Sequence, residues 1–433
     1  MDSDKLHLNG SRLESSIREL GEIGRETGGG LYRTAFSQAD LKGREWLKTV
    51  LHAEGISIRT DEAANIWGSI PGSIPKLPPL VCGSHLDTVP NGGKFDGALG
   101  VLLALEVLRT LKDAGHQTRH PLVLVSFSAE EPNAYGFSTF GSRAASGKLS
   151  SRQIRDARSN EGRLLSEALE EAGGDPGNLE RAAIPPGALA AYLEVHIEQG
   201  KRLLRQRVPL GIVSSITGIY REQIRLKGEA NHAGTTLMSD RRDALAAAAE
   251  IILAAEEICR LAPAPEVVGT VGMIGVTPGA ANIIPGEALL TAEFRAATEA
   301  QMEHLLAAWD KALRRAAETR EVKITRTPIL KQSPVPMDRG IMMIAERQAE
   351  RLQVPAMTLG SMAGHDAAHM ASVTRSGMLF VPSIGGKSHC PDEESRMADI
   401  LCAGNVLLHT LLVLDQSLDQ SLDGRDEARE GAV

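Results

Sequence analysis

An α/β fold, with a mixed, largely parallel sheet flanked by helices and an inserted ferredoxin-like α+β domain, is predicted by three features of the 433-residue sequence. The stretch 80–128 reads as strand, helix, strand with runs apolar on both faces, the pattern of a buried parallel sheet. From about 213 the order changes to strand, helix, strand, strand, helix, strand, which is the ferredoxin-like succession. After 330 helix and strand alternate again. The segment 213–330 therefore reads as an insertion into a domain assembled from 1–212 and 331–414.

Taken in order, residues 12–24 and 38–54 show helical spacing on either side of the breaker Gly28-Gly29-Gly30. A proline-rich loop from Pro71 to Pro79 precedes the apolar Leu80-Val81-Cys82, which runs into Gly83-Ser84-His85-Leu86-Asp87. An apolar helix is expected over 97–114, then a strand over 121–128 that ends in Ala129-Glu130-Glu131. Residues 150–190 read as polar helices and a Gly/Pro loop, and 193–197 as a strand. Within the insertion the expected elements are strand 222–228, an Ala-rich helix 241–261, strands 267–275 and 287–296, helix 299–318 and strand 321–326. Helix 340–353, strand 377–382 and helix 396–414 complete the first domain. The repeated DQSL and the Gly, Asp, Glu and Arg content from Asp415 predict a disordered tail over 415–433.

A composition of 42% hydrophobic and 24% charged residues is that of an ordinary globular protein. A net charge of −8 with only 3% aromatic residues gives no attraction to phosphate, so nucleic acid is not an expected partner. Cys82, Cys259, Cys390 and Cys402 form no C-x-x-C pair, which argues against a disulfide framework or a cysteine zinc module and for a reducing compartment. No run of about 18 apolar residues and no N-terminal apolar stretch occur, so neither a membrane span nor a targeting segment is expected. The expected location is cytoplasmic.

Five candidate metal ligands, His85, Asp96, Glu131, His196 and His389, stand at or just after apolar strands. In parallel sheets ligands gather at the carboxyl ends of strands. Imidazole and carboxylate donors without thiolate suit zinc, manganese, cobalt or nickel, and five ligands exceed the needs of one ion. Two divalent metal ions sharing Asp96 would use all five. Asp87, two residues beyond His85, is expected to accept the other N–H of the imidazole and fix its tautomer. Glu130 and Glu131 end the same strand, and a turn there would aim both into one cavity, one to bind metal and the other to move a proton. In the insertion, Asn231-His232-Ala233-Gly234-Thr235-Thr236, Asn282 and Arg295 offer oxyanion donors and a fork for a carboxylate. Gly386-Lys387-Ser388 is not a phosphate loop, because the required glycine five positions earlier is Val381. No GxGxxG follows a strand, and no G-x-S-x-G elbow supports a serine hydrolase.

The motifs GSHLDTVPNGGKFDGALG, SAEEPNAYGFSTFGSRAASG, EVHIEQG, NHAGTT, MAGHDAAHMA and VPSIGGKSHCPDEES resemble those of the dinuclear metal-dependent amidohydrolases of the amidase/hydantoinase/carbamoylase family. That family includes N-carbamoyl-L-amino-acid hydrolases, allantoate amidohydrolases and β-ureidopropionases, and the likeness covers about 12–414. The resemblance implies a catalytic domain of the dinuclear zinc exopeptidase type and a smaller lid domain that forms a homodimer. It also implies that His85, Asp96, Glu131, His196 and His389 are the ligands with Asp96 bridging, and that Glu130 is the general acid/base. It further gives His232 a role that can reach the partner's site, Asn282 and Arg295 the carboxylate end of the substrate, Gln199 a ureido contact, and His365 with Asp366 the pocket lining. Leu237 stands where the family usually has proline.

The resulting expectation is hydrolysis of the ureido C–N bond of an N-carbamoyl L-amino acid or related ureido acid, a small-molecule substrate. Allantoate hydrolysis is the alternative within the enzyme class. A non-catalytic metal-dependent binding or scaffold protein is the alternative outside it.

Overall fold

The two most apolar runs of the chain become neighbouring parallel strands. In a computed structural model that describes residues 6–264 and 266–417, β3 (Leu80–His85) pairs in register with β4 (Leu122–Phe127), from Leu80 opposite Leu122 to His85 opposite Phe127. Both strands are buried along their whole length, which is why neither shows alternation in sequence. β5 (Ala191–Ile197) runs parallel on the other side of β3, and β15 (Ser376–Val381) runs parallel to β5. Four carboxyl ends thus point the same way. The sheet continues with antiparallel strands, β2 (Ile66–Ile70) and β1 (Ser57–Thr60) beyond β4, and β6 (Leu210–Ile216) beyond β15. β14 (Ala356–Ser361) pairs with β6.

Two helices explain themselves by burial. Every residue of Ala98–Leu111, within the helix Ala98–Asp113, is buried, and the helix packs on β3, β4 and β5. The helix Met397–Ser417 has the length and mean hydropathy of a membrane span, but most of it is packed into the core against the helices Ala98–Asp113 and Arg339–Arg351. This second helix corrects the expectation of a disordered tail from Asp415. Asp415 is fully buried, and its carboxylate accepts the backbone N–H of Arg119 at 3.0 Å and of His120 at 2.8 Å. A polar repeat hid a helix end whose one buried charge is satisfied by a distant loop. The remainder of the expected tail, from 418, lies outside the described residues.

The chain divides into two units. The larger takes the described residues up to Ser214, Met337–Leu359 and the chain from His365, and the smaller takes Ser215–Pro336 with Gly360–Gly364. Set against the expected insertion of 213–330, the smaller unit ends later and annexes a short second segment. Hydrogen bonds account for that: Thr217 donates to Ser361 O at 2.9 Å and Arg295 Nη1 to Met362 O at 2.8 Å. In the smaller unit β7 (Gly218–Lys227), β9 (Val268–Thr277), β11 (Glu287–Ala296) and β12 (Lys323–Gln332) form an antiparallel sheet in the order β12-β7-β11-β9. With helices Ala244–Arg260 and Glu299–Arg320 this is the ferredoxin-like arrangement. β11 buries every second residue, Ala288, Leu290, Ala292, Phe294 and Ala296, and Trp309 meets Phe294 edge-on with ring centroids 5.0 Å apart. A short ribbon, β8 (Asn231–His232) with β10 (Ile283–Ile284), and the two-residue β13 (Val335–Pro336) complete the strands.

Asp415→Ala should remove both acceptors and strip their partner from the buried N–H of His120 and the half-buried N–H of Arg119, lowering the unfolding free energy by about 1–3 kcal/mol. Urea denaturation at constant slope is the measurement, and an unchanged midpoint would show that the loop bonds to something else.

Candidate metal centre

The carboxyl edge of the parallel strands carries the chemistry. His85, the last residue of β3, is 1% exposed; its Nδ1 lies 3.0 Å from Asp87 O, a backbone acceptor that assigns the N–H to Nδ1 and leaves the lone pair on Nε2. That Nε2 is 3.7 Å from both Asp96 Oδ1 and Glu130 Oε2. His196 near the end of β5 repeats the device: its Nδ1 lies 3.0 Å from Ile197 O, and its Nε2 lies 3.2 Å from Asp96 Oδ1. His389 comes from the loop after β15, with φ of 56°, and its Nε2 is 3.1 Å from Glu131 Oε1 and 3.4 Å from Asp96 Oδ2. One oxygen of Asp96 therefore faces His85 and His196, and the other faces the Glu131 and His389 side. Each set could hold one metal ion, with ligand atoms within 4.8 Å of one another.

The expected turn after β4 is present and has a definite cause. Ala129 takes φ of 50°, and Asp87 accepts the N–H of Glu130 through Oδ1 at 3.1 Å and of Glu131 through Oδ2 at 3.0 Å. This revises the role expected of Asp87. Its backbone carbonyl, rather than its carboxylate, is the nearer partner of His85 Nδ1, since Oδ1 stands 3.5 Å away. The carboxylate instead fixes the pair of glutamates, so that Glu130 faces His85 while Glu131 faces His389.

The electrostatics follow from burying many charges together. Burial pushes the Glu130 carboxyl well above its ordinary range, the nearby His85 notwithstanding, with Glu131 and Asp366 adding to the rise. Burial also works against protonated His85, but Glu130 and Asp87 more than offset it and hold the imidazole high. Asp96 is held well below the usual carboxylate range, its burial outweighed by His196 and His389. Hydrogen bonds to Asp96 and then Glu131 hold His389 up at about 10.

The other expected residues fall into two sets. Gln199 enters the centre itself, with φ of 57° and its Nε2 donating to Asp96 Oδ2 at 2.6 Å. His365 is buried with its ring 4.5 Å from that of His196 in an edge-on contact, and burial pushes its imidazole well down, so it backs the centre as a neutral ring. Asp366 beside it is fully buried, and burial followed by Glu194 raises its carboxyl to about 8. His232, Asn282 and Arg295 lie in the smaller unit. There β8 and β10 bring His232 and Asn282 together, Ala233 donating to Asn282 O at 3.0 Å. His232 Nδ1 accepts from Gly234 N at 3.0 Å, which puts the ring N–H on Nε2 at an exposed position. The Arg295 guanidinium is partly engaged, Nε donating to Glu293 Oε1 at 2.9 Å besides its bond to Met362 O.

Sequence reasoning passed over several residues that build the site. Gly97, at φ of 64°, leaves room for His85, whose ring would lie 2.3 Å from any Cβ placed there. Arg33 is fully buried and donates to Leu86 O at 2.7 Å and to Leu20 O and Ile23 O at 2.9 Å, tying the His85-Leu86-Asp87 turn to the end of helix Gly10–Glu22. Glu194 accepts from Ser84 Oγ, Tyr192 Oη and Ala367 N beneath His196. The glycine in FDG was a legible signal; a lone arginine 52 residues before His85 was not.

Residues 81–413 match the model of peptidase family M20/M25/M40. The chain belongs to that family. It is a hydrolytic enzyme, as its named relatives are. An N-carbamoyl-L-amino acid amidohydrolase of Geobacillus stearothermophilus is 38% identical over 413 residues, covering 94% of this chain and 99% of that protein. An allantoate amidohydrolase of Bacillus subtilis (strain 168) is 33% identical over 394 residues, covering 91% and 94%. Among solved structures, an amidase of the hydantoinase/carbamoylase family from Burkholderia multivorans superposes with a TM-score of 0.88 at 32% identity, over 95% of this chain and 98% of that one. The M20 assignment and these relatives bear out the resemblance carried by the sequence motifs.

Gly97→Ala should drive the His85 ring out of place and lower divalent-metal affinity by at least about tenfold, with the far-UV circular dichroism kept. Calorimetric titration of metal checks this, and wild-type affinity would mean that the ring position does not matter.

Proposed function

We propose that this M20 protein hydrolyses the ureido C–N bond of N-carbamoyl L-amino acids with two divalent metal ions. The observation that carries the reading is Asp96, whose two oxygens face two separate donor sets with Glu130 alongside. The donor chemistry fits the group: imidazole lone pairs and carboxylates with no thiolate suit zinc, manganese, cobalt or nickel. His85 and His196 would hold one ion, Glu131 and His389 the other, and Asp96 would be shared. Ions held there polarise a carbonyl oxygen and acidify water.

The chain's own groups do the rest. Glu130 Oε2 takes the proton of the attacking water and passes it to the leaving nitrogen, a task suited by a carboxyl whose affinity for protons burial has raised. Cleavage releases ammonia and a carbamate, which loses carbon dioxide to give the amino acid. Arg295 binds the α-carboxylate with the donors that Glu293 and Met362 leave over. His232, through Nε2–H, and Asn282 donate to the developing oxyanion. Gln199 steadies Asp96 and is close enough to His389, 3.5 Å, to sit beside the substrate. A binding or scaffold role gives Glu130 no task, since holding metal does not require a second glutamate beside the ligand.

We assign the homodimer to the smaller unit, with His232 serving the partner's site. What supports it is β9, an edge strand that exposes Met273 and Ile274, the kind of surface proteins normally cover. A cytoplasmic location belongs to the same reading, supported by four cysteines that are all free. The allantoate amidohydrolase among the relatives favours a second reading, the same chemistry on allantoate.

Ammonia release from N-carbamoyl-L-methionine, allantoate and N-carbamoyl-β-alanine distinguishes the substrates. Turnover should be fastest on N-carbamoyl-L-methionine, vanish with chelator and return with manganese, zinc, cobalt or nickel. No turnover of any ureide after remetallation would overturn the ureide substrate class. Glu130→Gln should keep its metal and lose at least about 10² in kcat, whereas undiminished kcat would remove Glu130 from the proton path.

A further inference from the structure

The loop that delivers His389 also carries a buried acidic residue that the reaction described above does not use. Glu393 is 2% exposed, and the nearby ion pair belongs to its neighbour, Lys94 meeting Glu394 at 3.2 Å. A buried carboxylate without a cation is costly unless hydrogen bonds replace water around it. Here they do. Its Oε1 accepts the backbone N–H of Phe95 at 2.8 Å and of Asp96 at 3.0 Å, and its Oε2 lies 2.9 Å from Ser388 Oγ. The same hydroxyl is 2.7 Å from Asp96 Oδ2. Glu393 thus holds Asp96 directly by its backbone N–H, across 297 residues of sequence, and meets its side chain at the Ser388 hydroxyl, whose single proton the two carboxylates share.

The chain on the other side is shaped to admit it. A Cβ on Gly93 would fall 2.2 Å from Glu393 Oε1 and 2.4 Å from Glu393 Cβ, so only glycine lets the two loops close to this distance. Ser388 is adjacent to His389, and Asp96 to Phe95, so one carboxylate sets the spacing between the shared candidate ligand and the ligand from the loop after β15. The geometry points to Glu393 as a positioning residue: it holds Asp96 so that one oxygen serves each metal ion, and it carries His389 into register with Glu131. This rests on the dinuclear reading proposed above.

Manganese alone, titrated by calorimetry into the chelated full-length protein, tests it. Wild type should bind two ions. Glu393→Ala should weaken the binding by at least about tenfold, lower kcat at limiting manganese, and regain kcat at saturating manganese with KM unchanged. A merely structural loss would not be restored by metal. Glu393→Gln should stay near wild type, because its amide oxygen can accept from Phe95 and Asp96 while its amide nitrogen donates to Ser388. If Glu393→Ala does not fold, Ser388→Ala, which removes one hydroxyl only, should show the same manganese-reversible weakening. Wild-type affinity in Glu393→Ala, or in Ser388→Ala where that variant carries the test, overturns the role of Glu393 and leaves the dinuclear reading intact. Absence of manganese binding by the wild type removes both.

Discussion

A single carboxylate offered in two directions organises the larger unit. Asp96 turns Oδ1 to two histidines from neighbouring parallel strands and Oδ2 to a histidine from a third element, with Gln199 and Ser388 donating to that second oxygen. For this to happen, three loops separated by some three hundred residues must end at one place. The parallel sheet supplies that place, because β3, β4, β5 and β15 all finish on the same edge. The helix Ala98–Asp113 starts directly after Asp96, and Gly97 opens it with a backbone that keeps clear of His85.

Packing so many charges into a buried cluster would be unfavourable if any were left without a partner. For most of them the structure answers with an outer layer of polar residues, while the Asp366 oxygens are buried without a hydrogen-bond partner. Asp87 takes the amides of Glu130 and Glu131, Arg33 takes the carbonyl of Leu86, Glu194 collects Ser84, Tyr192 and Ala367, and Glu393 takes the amides of Phe95 and Asp96. These residues set the angles from which the inner groups face one another. Burial then gives Glu130 the raised proton affinity that a proton carrier needs, while Asp96 beside it is kept ionised by its histidines. Two carboxylates a few residues from the same edge are thus driven apart in behaviour by what surrounds them.

Much of this was legible because the signals are local. β3 and β4 are continuous apolar runs, β11 alternates without interruption, and the metal-ligand candidates follow strands within a few residues. What escaped notice depends on partners distant in the chain. β1 and β2 are short and border a polar loop, so their local hairpin shows no periodicity to read, and β2 is held in the sheet by the distant β4. Gly360–Gly364 joins the smaller unit through two hydrogen bonds, and Asp415 continues a helix because a loop three hundred residues away donates to it. Glu393 lies in the VPSIGGKSHCPDEES segment, yet its importance comes from Gly93 and the Phe95 and Asp96 amides. The spacing of Asp87 from His85 points to the imidazole, and only the turn at Ala129 shows that its carboxylate serves the glutamates.

The central claim is that Asp96 is shared by two cations. Crystals grown with manganese and measured at a wavelength with strong manganese anomalous scattering test it directly. Two peaks are predicted, one among His85, His196 and Asp96 and the other among Glu131, His389 and Asp96. A single peak, or peaks that leave Asp96 without contact to one of them, would contradict the account.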